Sequence, residues 1–131
     1  MTQAPITAAL VCEIHDEILR SEAGVQGYGG AAKIEGALGR IDNAVVYEGL
    51  DDVFGIAAMY AIAIARGHCF ADANKRTALV TALTYLQLQG FDIDRDEELE
   101  EIMVDVAQGV IGRDELADLF FDAVNASSNN E

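Results

Sequence analysis

At 131 residues, 51% hydrophobic and with a single proline, the chain suits one compact domain with a full core rather than a disordered or low-complexity segment. Eight Lys and Arg against 23 Asp and Glu give a net charge of −15, the wrong sign for a surface that neutralises a phosphate backbone, which demotes direct nucleic-acid binding. Cys12 and Cys69 are too few and too far apart for a stapled secreted scaffold, and no basic segment precedes an apolar run at the start, so a reducing cytoplasm is the expected compartment.

Leu10, Ile14 and Ile18 set the first helical period, over about residues 7–21, and Ile34, Leu38, Ile41 and Val45 set a second over about 31–47, with a glycine-rich loop at 24–30 between them. The longest apolar stretch, 53–65, is shorter than the roughly 20 residues a bilayer crossing needs, so no membrane is implied. Having no polar face, it predicts a helix over about 52–65 that is buried on every side, with Asp51 or Asp52 as its cap. After Asn74, the set Leu79, Ala82, Leu83 and Leu86 predicts a helix that Gly90 stops. Only the short run 90–93 has a strand-like alternation. Asp94 followed by Glu97 has the spacing of a capping box for a helix lined by Leu99, Ile102, Met103 and Val106, and Leu116, Leu119, Phe120 and Ala123 define the last helix. The expected fold is an all-α single compact bundle around a central buried helix, with a domain over 1–126 and a disordered tail over 127–131. From Phe91 onward 13 acidic residues face only Arg95 and Arg113; because the apolar period persists there, they read as a solvated helix face.

Three of the eight cations and one of the two histidines fall within Arg66-Gly67-His68-Cys69-Phe70-Ala71-Asp72-Ala73-Asn74-Lys75-Arg76. Lys75 and Arg76 stand in the first turn of the helix opened by Asn74, where the macrodipole disfavours cations by about 0.3 to 1 kcal/mol each. Stability alone would place acids there. Free N–H groups at a helix start, joined by a lysine point charge and an arginine fork, make a phosphate site. His68, held close by on a loop that Phe70 anchors, has the right chemistry for a general base toward an acceptor hydroxyl. Asp72 is placed to hold Mg²⁺ or to orient the acceptor. Asn74 also suits the N-cap, a role compatible with ligand binding, and Arg66 suits the negative C-terminal end of the buried helix.

Other readings of these residues are weaker. Cys12, His15, His68 and Cys69 could supply four zinc ligands, but adjacent side chains rarely converge on one metal, and the His15-Asp16 pair lacks the further histidines a metal phosphohydrolase needs. Cys69 reads as a small buried hydrophobe rather than a nucleophile. Gly24, Gly27, Gly29 and Gly30 are followed by no Lys-Ser/Thr and preceded by no strand, so they are weak evidence for a phosphate loop and read as a flexible loop beside the site.

The segment His68 to Arg76 resembles the H-x-F-x-D-A-N-K-R motif of the Doc toxins, the short branch of the Fic/Doc superfamily. Ile14-His15-Asp16, Tyr28-Gly29-Gly30, Tyr47-Glu48 and Thr77-Ala78-Leu79 are similar to the same branch. The nucleotidyl-transferring branch has H-x-F-x-D/E-G-N-G-R-x-x-R; here Ala73 and Lys75 stand at its two glycines and Leu79 at its second arginine. The resemblance implies a helical bundle of the Fic/Doc type and an ATP, with Mg²⁺, bound in reverse, so that its γ-phosphoryl passes to a Thr or Ser hydroxyl of a protein target, elongation factor Tu. It implies a toxin restrained by a Phd-like antitoxin, with His68 and Asp72 catalytic and Asn74, Lys75 and Arg76 on the phosphates. The alternatives are adenylyl transfer, or an attenuated partner whose work is to bind the antitoxin. No S/T-x-x-x-E/G-N pattern is present, so control is expected from a separate chain.

Overall fold

The computed structural model describes residues 6–27 and 31–129. Six helices follow one another: α1 (Ala8–Ser21), α2 (Ala31–Tyr47), α3 (Val53–Arg66), α4 (Asn74–Leu88), α5 (Glu97–Ala107) and α6 (Arg113–Asn129). The architecture is the all-α bundle that the periodicity implies. Among the described residues no strand forms, Phe70 sits in an isolated bridge, and 90–93 is irregular. No described helix is long and apolar enough to cross a membrane.

Helix α3 is the centre. Every residue from Val53 to Ala65 is buried or partly buried, and the helix packs against α2, α4, α5 and α6. Its alanines, Ala57, Ala58, Ala61 and Ala63, are almost fully covered, and their small volume lets α4 approach closely along its length. The Asp52 carboxylate accepts from the Gly55 N–H at 2.9 Å, which settles the choice between the two candidate caps. Around this axis Ile64, Leu79, Leu86, Met103, Leu116 and Phe120 are sealed from solvent; truncating any of them to Ala removes about 2–5 kcal/mol.

The ends of the helices show where local spacing decides and where it does not. Thr7 caps α1 by accepting from Leu10 N–H at 3.1 Å. Gly90, at φ +96, ends α4: its own N–H reaches Gln87 O at 3.0 Å and the next, Phe91, reaches Leu86 O at 2.9 Å, the paired bonds of a left-handed helix stop. The cap of α5 is Asp96, accepting from Leu99 N–H at 2.8 Å, not Asp94. The chain stays irregular to Asp96 while Arg95 reaches Glu100, and starting there still turns Leu99, Met103 and Val106 inward and sets Glu97 and Glu98 on the first turn, where the macrodipole favours them. Helix α6 runs to Asn129; 130–131 lie outside the described residues.

Arg66 stands on the last turn of α3, as expected, and its side chain also reaches a second helix end. Its Nε donates to Val106 O at 2.8 Å and its Nη2 to Ile111 O at 2.9 Å. The charge therefore meets the negative end of α5 and the turn into α6, and it pins the last residue of α3, two positions ahead of His68.

Candidate active site

Seven residues, 67–73, connect α3 to α4, and packing and hydrogen bonds fix their path. At Gly67 a Cβ would lie 2.5 Å from Ala63 O, so only glycine allows the chain to leave α3 at this angle. His68 follows at φ +52 and Ala73 closes the loop at φ +66. Two non-glycine residues in the left-handed region cost about 1–2 kcal/mol each, and the surrounding contacts must outweigh that cost.

Those contacts are unusually complete. Cys69 and Phe70 are buried, and burial pushes the Cys69 thiol up, which leaves it a packed side chain rather than a nucleophile. Phe70, the expected anchor, lies flat against the His15 ring of α1, with centroids 3.8 Å apart and planes at 8°. His15 Nε2 donates to Asp72 O at 3.1 Å, and its Nδ1 is 3.2 Å from the Asp16 carboxylate. Asn74 encloses the Phe70 backbone: its Oδ1 accepts from Phe70 N–H at 3.0 Å and its Nδ2 donates to Phe70 O at 2.9 Å. Asp72 accepts from Ala73 N–H at 2.7 Å on one oxygen and from Val25 N–H at 3.0 Å on the other. Ala71 N–H reaches Gly27 O at 3.0 Å, so residues 25–27 lie along the loop.

These bonds redistribute the expected roles. The N-cap position of α4 is Ala73, with no side-chain cap; Asn74 is not the cap, because its amide is committed to Phe70. Any contact of Asn74 with a phosphate falls to its backbone N–H. The first turn of α4 therefore presents N–H groups that no side chain closes, and it holds Lys75 and Arg76 but no acid. His68 and Lys75 are exposed, and no described residue hydrogen-bonds the imidazole or the ammonium. Arg76 is partly buried and donates to Ala23 O at 2.9 Å and to Glu22 at 3.2 Å. The two N–H groups on Asp72, of Val25 first and then Ala73, together with Arg76 and Lys75, hold its carboxyl below the usual range, so it is ionised and each oxygen keeps a lone pair. Leu79 is fully buried; the position at which the nucleotidyl-transferring motif has its second arginine faces the core.

Six of the residues singled out in the sequence, His68, Phe70, Asp72, Asn74, Lys75 and Arg76, thus meet at one loop–helix junction. Three others were missed as parts of it: His15, Glu22 and Arg95. His15 was detectable, since it lies on the inward stripe of α1 with Val11, Ile14 and Ile18, and a polar ring on such a stripe needs a partner. Glu22 and Arg95 join it through contacts 54 and 73 residues long, which no local spacing announces. Tyr28, Gly29 and Gly30 lie outside the described residues.

The sequence matches the Fic/DOC family over residues 5–86. It is also 38% identical over 105 residues to the protein named protein kinase doc of Escherichia phage P1, covering 80% of this chain and 83% of that one. The chain therefore belongs to the Fic/DOC family. Within it, similarity at this level and coverage sets it with Doc.

Proposed function

We propose that the chain is a Doc-like toxin enzyme that transfers the γ-phosphoryl group of ATP to a Thr or Ser hydroxyl of a protein, elongation factor Tu by resemblance. The observation that carries this is the uncapped start of α4 with Lys75 and Arg76 on its first turn, opening beside an exposed His68. Backbone N–H groups and two cations together suit a triphosphate, and the relative's name, protein kinase doc, supports phosphoryl rather than adenylyl transfer. His68 takes the proton of the acceptor hydroxyl. The bond from γ-phosphorus to the bridging oxygen breaks, a bond to the acceptor oxygen forms, and ADP leaves. Arg76 and Lys75 hold the equatorial and leaving oxygens in place.

The donor set fits Mg²⁺. Asp72 offers an ionised carboxylate with free lone pairs, and one carboxylate plus substrate phosphates is how Mg²⁺ is commonly held. When bound, the ion would neutralise charge on the phosphates.

A Phd-like antitoxin is the proposed restraint. A groove of about 450 Å³ between α1 and α4 has an apolar floor of Leu10, Ile14, Ile18 and Val80 and a rim of Glu13, Glu17 and Glu22, with Arg95 at Glu22. An amphipathic segment with basic flanks complements both, and electrostatic steering would speed its arrival at low salt.

The test is to supply γ-³²P or α-³²P ATP to the protein in a bacterial lysate. Label on a protein from the γ position alone supports the proposal. Label from the α position alone assigns adenylyl transfer instead.

A further inference from the structure

Glu22, one residue past the end of α1, lies between two guanidinium groups that arrive from distant parts of the chain. Arg76 on the first turn of α4 donates through Nη1 to Oε1 at 3.2 Å. Arg95, in the α4–α5 connection, donates through Nη1 to Oε2 at 2.6 Å and through Nη2 to Oε1 at 3.0 Å. One carboxylate thus receives N–H groups from both arginines, and both reach the same oxygen. Hydrogen bonds from Arg95 first and then Arg76 hold its carboxyl below the ordinary range, against a partial desolvation that works the other way.

We propose that Arg76 and Arg95 form a two-arginine cradle for one phosphate of the nucleotide, and that Glu22 is its internal occupant, displaced when the phosphate arrives. This rests on reading the start of α4 as the nucleotide site.

Each guanidinium has partners that remain when Glu22 leaves. Arg76 keeps Ala23 O at 2.9 Å and the Asp72 carboxylate at 4.0 Å. Arg95 keeps Glu100, with Nε at 2.9 Å. Both forks stay aimed at a common point, and a preorganised fork loses less freedom per bond formed. Glu22 is the movable member: it sits in extended backbone beyond the last turn of α1, and a third of its side chain is exposed. A phosphate carries more charge than the Glu22 carboxylate and offers more acceptor oxygens to two converging forks. The buried Leu79 adds a reason. With no arginine available one turn along α4, a second fork must come from another element, and among the described residues Arg95 is the arginine that meets Arg76 on a shared anion.

Inorganic tripolyphosphate, titrated calorimetrically into the full chain, is the probe. Arg95→Ala is expected to weaken binding about tenfold, the worth of charge-assisted hydrogen bonds to one phosphate, with Arg95→Lys intermediate because the fork is lost. Glu22→Gln keeps the shape but removes the competing charge and should tighten binding about threefold or more. The deciding arm is the double variant. If Arg95→Ala weakens binding in the Glu22→Gln background as well, Arg95 touches the phosphate itself; equal affinities for Glu22→Gln and Glu22→Gln/Arg95→Ala overturn the cradle. Should Arg95→Ala fail to fold, the Arg95 Nε–Hε resonance of the wild-type chain is followed during the titration. A shift at saturation supports the proposal and an unmoved resonance overturns it. Arg95-dependent tripolyphosphate binding without label transfer from ATP would keep the cradle and remove the kinase reading. Label transfer with an affinity indifferent to Arg95 would do the reverse.

Discussion

His15 and Phe70, 55 residues apart in sequence, stack face to face with 3.8 Å between ring centroids. One belongs to α1 and the other to the motif loop, so the loop takes its position from a helix that is not its sequence neighbour. His15→Ala would empty the space under Phe70 and strip Asp72 O of its donor, a combined loss of about 2–4 kcal/mol. Denaturant unfolding should show that drop. His15→Phe, which keeps the stack and loses the bond, should recover part of it.

The proposed chemistry separates by residue. His68→Ala removes the base and leaves the anion site, so ATP still binds while transfer falls about 10²- to 10⁴-fold. Arg76→Ala weakens both, by about 1.5–3 kcal/mol in binding. A His68→Ala protein that transfers phosphate at the wild-type rate with ATP saturating would show that the base lies elsewhere.

Restoring the second arginine of the nucleotidyl-transferring motif offers itself from sequence alone. The structure forbids it. Leu79 has no solvent exposure, and Leu79→Arg would bury an unpaired charge at a cost of several kcal/mol. The expected result is a large fall in melting temperature or aggregation, with no AMP transfer gained; a soluble variant of wild-type stability would contradict the buried placement.

Ala73 stands at φ +66, where the related motif has glycine. Ala73→Gly relieves strain but adds freedom to the unfolded chain and gives up a buried methyl, so stability should change by less than about 1 kcal/mol. Ala73→Val places a β-branched side chain in the same conformation and should cost about 2 kcal/mol or more. Chemical denaturation of both variants checks the pair.

Acid should loosen the contacts between the α1–α2 segment and the motif. Asp72 and Glu22 both have carboxyls held below their ordinary values, Asp72 by the Val25 and Ala73 N–H groups foremost and Glu22 by Arg95 foremost. Folded values lower than unfolded ones mean stability that is full above the ordinary carboxylate range and lost as pH falls through the folded values. Melting temperature should therefore drop from about pH 5 toward about pH 3, and less steeply in Glu22→Gln. Parallel curves for the two proteins would remove Glu22 from the account.

Much of this was legible from spacing. Helix α2 occupies the range its apolar period marks, and α3 is enclosed because it has no polar face to turn outward. The cap of α5 was misplaced by two residues because Asp94 and Asp96 carry the same side chain, and local spacing does not tell which of them accepts from the helix. The motif singled out its histidine and its cations as a group, and the structure brings them to one loop–helix junction. It could not announce that the Asn74 side chain faces the Phe70 backbone instead of solvent, since that depends on a loop closed by two left-handed residues. Arg66 illustrates the same limit: its helix end was evident, but its partners at Val106 and Ile111 belong to a turn 40 residues on.

Those two bonds of Arg66 also bear on how such a chain can diverge. The family match ends at residue 86, yet the wall of α3 opposite the matched helices is built from α5 and α6, and Leu99, Met103, Val106, Leu116 and Phe120 fill it. The histidine-bearing loop therefore hangs from a strut whose far anchor lies beyond the residues of the family match. What that region supplies to the loop is packing volume and two backbone carbonyls, which many side-chain sequences can provide. A fragment cut near residue 86 would keep every letter of the motif and lose the surface that holds it in shape.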